Sequence, residues 1–537
     1  MAIVLVDGSE IDIGDEQVNG IQVAAKAGID VPYYCWHAGL TVVASCRMCL
    51  VETGRRDPQT GNVQMLPKLV PACQTPANDG TVFVTNSDKV KQARAMVEEE
   101  LLIRHPVDCP ICDKAGECLL QDYHFEHGQK ERRADIKPFT SRRRPLGDTV
   151  TLFVDRCVMC SRCVRFCREI SGTSELMVRD RGAQEEIDIF PGYPLANKLS
   201  GNVVDLCPVG ALGDMDFLYE QRVWLMKNQP HVCAGCSTGC SINVDQNQDR
   251  IYRLKPRENP HVNQWWMCDE GRYGWKHVHD QSRVTELRKR DGDDWINVEW
   301  SALPKEFDET LEKAGHFAVV LSPHLTVEEA YLLAKYVRGI DSDALVAVGP
   351  VPTSGEDESF PSGFTIRAEK CPNRRGVEAV AARMNEGLVT WDEFLERAGS
   401  ENFGAVWLTG GYKTDWNDEA TADNLVSAAQ ILIVQDMFAS PLWDRATFQL
   451  PGASFAERDG SFVNFADRLQ SFRWAIRPPD GVKVEGHLYW ELLGMPGLYN
   501  ARTVLDEIAR EIGYFAVAAD PIPEVGVDLK VNLLAKM

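Results

Sequence analysis

Sixteen of the 17 cysteines of this chain lie within residues 1–268, and only Cys371 lies beyond them. Thiols clustered at short spacings hold iron-sulfur clusters or zinc, and in a reducing compartment they do so in preference to forming disulfides. Four groups are separable by spacing. The first is Cys35-x10-Cys46-x2-Cys49-x23-Cys73. Three of its thiolates come from one loop and one from a distance, the grip used on a [2Fe-2S] rhombus, although the plant-type interval is about four residues and not ten. The Cys46-x2-Cys49 hook would also suit zinc.

The second group, His105-x3-Cys109-x2-Cys112-x5-Cys118, has three cysteines. A cubane or a tetrahedral metal wants a fourth donor, and the imidazole just upstream can supply it. The third group is Cys157-x2-Cys160-x2-Cys163-x3-Cys167, with Cys207-Pro208 later in the chain. In two-cluster ferredoxins the fourth Cys of such a run stands before Pro and serves the other cluster. No second run of that kind exists here, so Cys207, which stands before Pro, completes the triplet better than Cys167, which stands before Arg168. The fourth group is Cys233-x2-Cys236-x3-Cys240-x27-Cys268, where Gly235 and Gly239 are expected to let the chain turn tightly. Fifteen cysteines plus His105 make four ligands for each of four centres, one two-iron and three four-iron, with Cys167 and Cys371 left over. No nucleophile or acid-base pair stands beside these groups, so the chemistry they imply is electron conduction, with neighbours such as Trp36, Met48, Trp265 and Trp266 serving as packing that keeps water away.

The elements that must position these groups are legible in part. Ile3 to Val6, the turn Asp7-Gly8 and the alternating Ile11 and Ile13 predict a hairpin. A helical pattern around Val23 to Ile29 and a closing strand Thr81 to Thr85 complete an order that suits a β-grasp ferredoxin. Asp88 to Arg104 is rich in helix formers. Lys130 to Arg144 holds seven basic and two acidic residues, which reads as an extended linker, either a solvated connector or a dock for an acidic neighbour. From about residue 283 apolar strands (Phe317 to Leu321, Ala344 to Val348, Ala405 to Leu408, Ile431 to Val434) alternate with helical patterns. Thr326-x-x-Glu329 is a capping box before Ala330, Leu333, Ala334 and Val337.

The 537 residues predict several domains, and the charge of -22 argues against a general nucleic-acid binder. No apolar run reaches the roughly 18 to 20 residues that span a bilayer. The first residues lack the pattern of a secretory signal, so a cytoplasmic location is the default expectation. Gly410-Gly411 is weak evidence for a phosphate site, and no G-x-G-x-x-G follows a strand.

The order of the groups, with HPVDCPICDKAGECLLQD, SCRMCLVE, CVMCSRCVRFCREISG with CPVGAL, and CAGCSTGC with CDEGRYGW, resembles the large iron-sulfur subunit, the G subunit, of proton-pumping NADH-quinone oxidoreductases (respiratory complex I). Beyond residue 283, SPHLTVEEAYLLAKYVRG and the run IVQDMFASPLWDRATFQLPGASFAERDGSFVNFADRLQ resemble the α/β body of molybdopterin oxidoreductases, here shorter, with Cys371 in no molybdenum-ligand setting. The resemblance implies a multidomain α+β then α/β chain. Residues 1–87 would form a β-grasp [2Fe-2S] ferredoxin, 88–128 a [4Fe-4S] domain with one histidine and three cysteines as ligands, and 129–146 the linker. Residues 147–225 would form a ferredoxin-like [4Fe-4S] domain, 226–282 a molybdopterin-oxidoreductase-type [4Fe-4S] domain and 283–537 an α/β body without pterin. The implied function is relay of electrons from a flavin- and NADH-bearing subunit toward quinone, handed on to a ferredoxin-like subunit in a membrane-attached complex on the inner face of the cell membrane. The first three centres would form the path and the fourth a structural centre, with neither NADH nor quinone bound by this chain. A soluble NAD-linked hydrogenase or formate dehydrogenase, and a molybdenum oxidoreductase, are the rival parents.

Overall fold

The computed structural model describes residues 2–530 except positions 132, 183, 312 and 386. Two compact units divide the chain, one ending at Met226 and including Phe360–Gly363, the other formed by Lys227–Ser359 and the residues from Phe364 onward.

The N-terminal unit begins with strands Ile3–Val6 and Ser9–Asp12, paired antiparallel around Asp7 and Gly8. Both turn residues have positive φ (46° and 88°), the requirement of a tight hairpin whose twist matches its strands. Ile3–Val6 also pairs in parallel with Thr81–Val84, which runs antiparallel to Leu50–Arg56, giving a mixed sheet. The helix on this sheet spans Gly20–Lys26 and so begins earlier than the Val23 to Ile29 pattern indicates. Its start is set by a capping box between Asn19 and Gln22, and its C-terminal neighbour Gly28 turns with φ 74°. Helix Asp88–Leu102, capped by Ser87, leads to the second cysteine group, and Tyr34 donates a hydrogen bond to its buried Glu98.

Part of the basic stretch is tied into the unit. Arg143–Pro145 is a strand paired with Val150–Phe153. Arg142 binds Asp155 and Glu186, Arg144 lies against Glu186 and Asp188, and Arg133 pairs with Glu99. The positive charge of these arginines is thus spent on the unit's own carboxylates. Arg132 lies outside the described residues.

In the C-terminal unit the antiparallel strands Lys227–Val232, Ser241–Asn247 and Arg250–Pro256 form one sheet. A seven-stranded sheet follows, with an antiparallel hairpin (Asp294–Asn297, Arg288–Asp291) at its edge. Its remaining strands run Phe448–Pro451, Ala429–Asp436, Phe403–Thr409, Phe317–Leu321 and Leu345–Val348, all parallel. Phe317–Leu321 and Phe403–Thr409 are buried at every position, because helices cover both faces and each side of the strand meets apolar packing. The four strands expected from sequence are all present, Phe317–Leu321 with the expected bounds and the other three slightly longer or shorter at their ends.

The capping box at Thr326 forms as expected: Glu329 N–H donates to Thr326 Oγ1 (3.1 Å) and Thr326 N–H to Glu329 Oε2 (2.9 Å), opening helix Val327–Ile340. The same Glu329 oxygen accepts from Arg458 at 2.8 Å, and Arg458 reaches Glu485 at 3.1 Å, all three side chains being buried. Burial pushes the Glu485 carboxyl up to about 7 even with this cation beside it. Removing the cation leaves two buried carboxylates against each other. Arg458→Met is therefore expected to destabilise the full chain by about 3–5 kcal/mol, read as a lowered midpoint in denaturant unfolding followed by tryptophan fluorescence.

Candidate metal centres

Each cysteine group sits where a regular element begins or ends. Cys49 precedes strand Leu50–Arg56, Cys73 follows Val70–Pro71, and Ala72 N–H donates to the Cys49 carbonyl at 2.9 Å, which draws the distant cysteine to the loop. Arg47, between Cys46 and Cys49, takes φ 60°, which curls the loop over its own thiols. The four sulfurs contact one another, Cys35 with Cys46 and Cys73, and Cys49 with Cys73. Hydrogen bonds along this chain of sulfurs hold Cys35 and Cys49 below the ordinary thiol range and push Cys46 and Cys73 above it.

In the second group Cys109 opens a short 3-10 turn and Cys118 caps helix Leu119–His127. Gly116 between Cys112 and Cys118 turns with φ 92°. His105, Cys109, Cys112 and Cys118 line one cavity together. Burial, aided by Arg156, lowers the His105 imidazole to about 4, so at neutral pH it is the unprotonated donor that a metal requires. Burial raises the Cys118 thiol to about 11. Arg222 clamps this loop by donating to the Cys112 and Cys109 carbonyls at 3.1 and 3.0 Å.

Cys157, Cys160, Cys163 and Cys207 line a third cavity, and Cys167 is not on its wall. Cys163 and Cys167 share helix Arg162–Glu169, but Cys167 is fully buried beside Glu175, and its carbonyl accepts from Ser171. Met159 and Ser161, the residues flanking Cys160, have φ 48° and 58°, and the Cys157 sulfur accepts from Met159 N–H at 3.4 Å. Cys207 follows helix Asn202–Leu206.

In the C-terminal unit Cys233, Cys236, Cys240 and Cys268 line the fourth cavity. Cys233 N–H donates to the Cys240 carbonyl at 2.8 Å and closes the loop at its base. Gly239 turns with φ 64° as expected, whereas Gly235 does not; its N–H donates to the Cys233 sulfur at 3.4 Å instead. At Gly271 a Cβ would stand 3.1 Å from the Cys233 sulfur, and Gly271 N–H donates to the Cys268 sulfur at 3.3 Å. Cys371 is buried near Glu369 and joins none of these groups.

Among the described residues, no three His, Cys, Asp or Glu side chains converge on a point where one ion would bind. In the second, third and fourth groups the donors stand around a space, which is what a cluster bringing its own iron and sulfide requires.

Three features beyond the cysteines connect the N-terminal sites, and no pattern of ligand spacing singles them out. A Cβ at Gly210 would stand 2.1 Å from the Cys112 sulfur, so the loop carrying Cys207 and the loop carrying Cys112 pack without a side chain between them. Leu119 N–H, next to Cys118, donates to the Pro208 carbonyl, next to Cys207, at 3.0 Å. On the other side, buried Arg162 donates to the Leu206 carbonyl (3.1 Å) and the Trp36 carbonyl (2.6 Å), and buried Arg165 donates to the carbonyls of Cys35 and Cys160. The third group therefore contacts both the first and the second, and the first and second also meet directly, Tyr33 N–H donating to the Tyr123 hydroxyl at 3.2 Å. The signal in the sequence is the pair of arginines interleaved with cysteines in CSRCVRFC.

At Gly410-Gly411 the Asp436 carboxylate takes the place an anion would need. Gly411 N–H donates to Asp436 Oδ1 at 2.9 Å, and Trp416 Nε1 to Oδ2 at 2.7 Å.

Residues 4–88 match the family described as 2Fe-2S iron-sulfur cluster binding domain, and residues 94–133 the NADH-ubiquinone oxidoreductase-G iron-sulfur binding region. Residues 147–213 match the NADH-quinone oxidoreductase subunit 3 ferredoxin-like domain, 226–280 the molybdopterin oxidoreductase Fe4S4 domain and 373–492 the molybdopterin oxidoreductase family. The NADH-quinone oxidoreductase G subunit of Rickettsia felis is 31% identical over 340 residues, 63% of this chain and 49% of that protein. The corresponding G subunits of Streptomyces coelicolor (33% over 345 residues, 62% and 39%) and Salmonella typhimurium (32% over 342 residues, 63% and 37%) match similarly. The chain thus spans half or less of the length of these curated relatives. Among solved structures, a chain of an NAD+-reducing [NiFe]-hydrogenase in the H2-reduced state is 25% identical, covering 41% of this chain and 91% of that one, with a TM-score of 0.34. Across its cysteine-bearing region the chain resembles the G subunit of NADH-quinone oxidoreductases, and it carries molybdopterin-oxidoreductase sequence beyond that region.

Proposed function

We propose that the chain is the iron-sulfur electron-transfer subunit of a multisubunit NADH-quinone oxidoreductase, relaying electrons from an NADH- and flavin-bearing subunit toward quinone through a ferredoxin-like subunit. The observation that carries this reading is the contiguous placement of three cysteine sites in one unit, joined by shared backbone contacts. We assign a [2Fe-2S] cluster to Cys35, Cys46, Cys49 and Cys73. Three [4Fe-4S] clusters are assigned to His105/Cys109/Cys112/Cys118, to Cys157/Cys160/Cys163/Cys207 and to Cys233/Cys236/Cys240/Cys268. The clusters supply one-electron redox chemistry; the chain's own residues hold them, exclude water and set their potentials. The N-terminal sheet with its covering helix is read as a β-grasp ferredoxin, the following cysteine modules as small [4Fe-4S] domains, and the doubly wound sheet as a scaffold without pterin.

We assign the path to the three N-terminal sites, in the order Cys35 site, Cys157 site, Cys109 site; the third group's contacts with both others support this order. The Cys233 site belongs to the other unit and is assigned a structural role. Cluster assembly replaces the protons of the ligand thiols and so releases them. No helix among the described residues is long and apolar enough to cross a membrane, which is compatible with peripheral attachment through partner subunits on the inner face of the cell membrane.

Anaerobically purified full chain should carry about 14 iron and 14 labile sulfide, from one two-iron and three four-iron clusters, with no molybdenum. Zinc in place of iron would end the electron-transfer reading. Cys207→Ala should remove about four iron and Cys167→Ala none; a lost centre in the second variant would reverse the ligand assignment. In the assembled complex Cys160→Ala should stop NADH-quinone electron flow, while Cys236→Ala should reduce assembly more than turnover of what assembles. Gly210→Ala places a methyl group on the Cys112 sulfur. Peptide mapping of the apo chain should then show faster iodoacetamide labelling of Cys112 with Cys163 unchanged, and equal labelling of Cys112 in both proteins would contradict the close packing described.

A further inference from the structure

Arg165 occupies a position that the ligand assignment does not explain. Its side chain is 2% exposed, on the same helix as Cys163, and its guanidinium donates to three carbonyls: Thr41, Cys35 and, at 3.3 Å, Cys160. Two of these belong to residues assigned as ligands of different clusters. Arg162, one turn earlier, is 5% exposed and makes the parallel connection through the carbonyls of Trp36 and Leu206. Each arginine retains a buried Nε–H without an acceptor in the protein. The carboxylate of Glu169, on the same helix, is engaged at the rim by Thr41 N–H (2.9 Å), Thr41 Oγ1 (2.6 Å) and Arg168 (2.9 Å). No ion pair joins Arg162 or Arg165 to a carboxylate among the described residues.

Burying a guanidinium without a carboxylate partner is costly unless something else supplies negative charge. Thiolate-ligated iron-sulfur clusters carry net negative charge and gain one more on reduction, and both assigned clusters flank Arg165. We propose that Arg165 is the positioning residue that couples the Cys35 and Cys157 centres. Its permanent charge stabilises the reduced form of both, raising the two potentials together, and its three hydrogen bonds hold the two ligand loops in register. Arg162 supports the same junction from the neighbouring turn. This inference rests on the cluster assignment above and adds to it a residue that touches no ligand sulfur.

The charge and the fork can be separated in the full chain. R165Q removes the charge and keeps a donor; R165K keeps the charge and loses the fork. Midpoint potentials of both centres are read by redox titration with low-temperature electron paramagnetic resonance, alongside iron content. R165Q is expected to lower both midpoints, each by about a tenfold change in the reduction equilibrium, equivalent to about 59 mV for a one-electron couple. R165K is expected to leave both within about a twofold change. A purely structural residue would alter cluster content without moving the midpoints of the clusters retained. Unchanged midpoints in R165Q with both signals present would overturn the proposal, and so would a shift in one centre alone. Loss of both clusters in R165K as well as R165Q would assign Arg165 to folding and overturn it too. Absence of iron-sulfur signals from the unsubstituted chain would instead overturn the cluster assignment itself, so the two failures are distinguishable.

Discussion

The bare backbone at Gly210 is the constraint on which the N-terminal unit depends. A side chain there would collide with the Cys112 sulfur, so only glycine lets the loop after Cys207 lie directly on the loop that carries Cys112. Proximity matters because electron transfer between buried centres requires short separation, and a shared wall is the shortest one a protein can build. Leu119 N–H to the Pro208 carbonyl and Arg156 to Asp108 and the Gly210 carbonyl fasten the same junction. On the opposite side charge makes the connection: two buried arginines span from the third cysteine group to the first.

Both units curl their thiol loops through residues of positive φ. Thiol loops need left-handed residues to curl around their contents, and these are non-glycine residues at Arg47, Met159 and Ser161 but glycines at Gly116 and Gly239. A non-glycine residue in that conformation is strained, and surrounding hydrogen bonds must hold it there. In the C-terminal unit, a buried network of Arg458 with Glu329 and Glu485, and of Arg283 with Glu457, anchors the capping-box helix to the strands after it. The Asp436 carboxylate on Gly411 N–H closes a position where α/β sheets commonly receive phosphates.

Much of this was legible from residue types and spacing, because ligand chemistry is local. The four cysteine groupings, the Asp7-Gly8 hairpin, the apolar strands of the C-terminal unit and the Thr326 capping box all rest on short-range patterns. What was not legible depends on contacts between distant segments. The contacts that bring the third group against the other two run through Gly210 and through Arg162 and Arg165, whose partners lie far away in sequence. The first helix begins earlier than its apolar pattern, because the Asn19–Gln22 capping box and not periodicity sets its start. The basic stretch reads as a linker in sequence, since the acidic residues that pair with Arg133 and Arg142, Glu99, Asp155 and Glu186, are scattered along the chain.

The central claim is the proposed path order, with the third cysteine group between the first and the second. Pulsed electron double resonance between the reduced centres of the full chain measures this directly, with Cys→Ala variants used to assign each pair. With the third group in the middle, the distance from the Cys35 centre to the Cys109 centre is expected to be the longest of the three. A shorter distance for that pair than for either pair involving the Cys157 centre would contradict it.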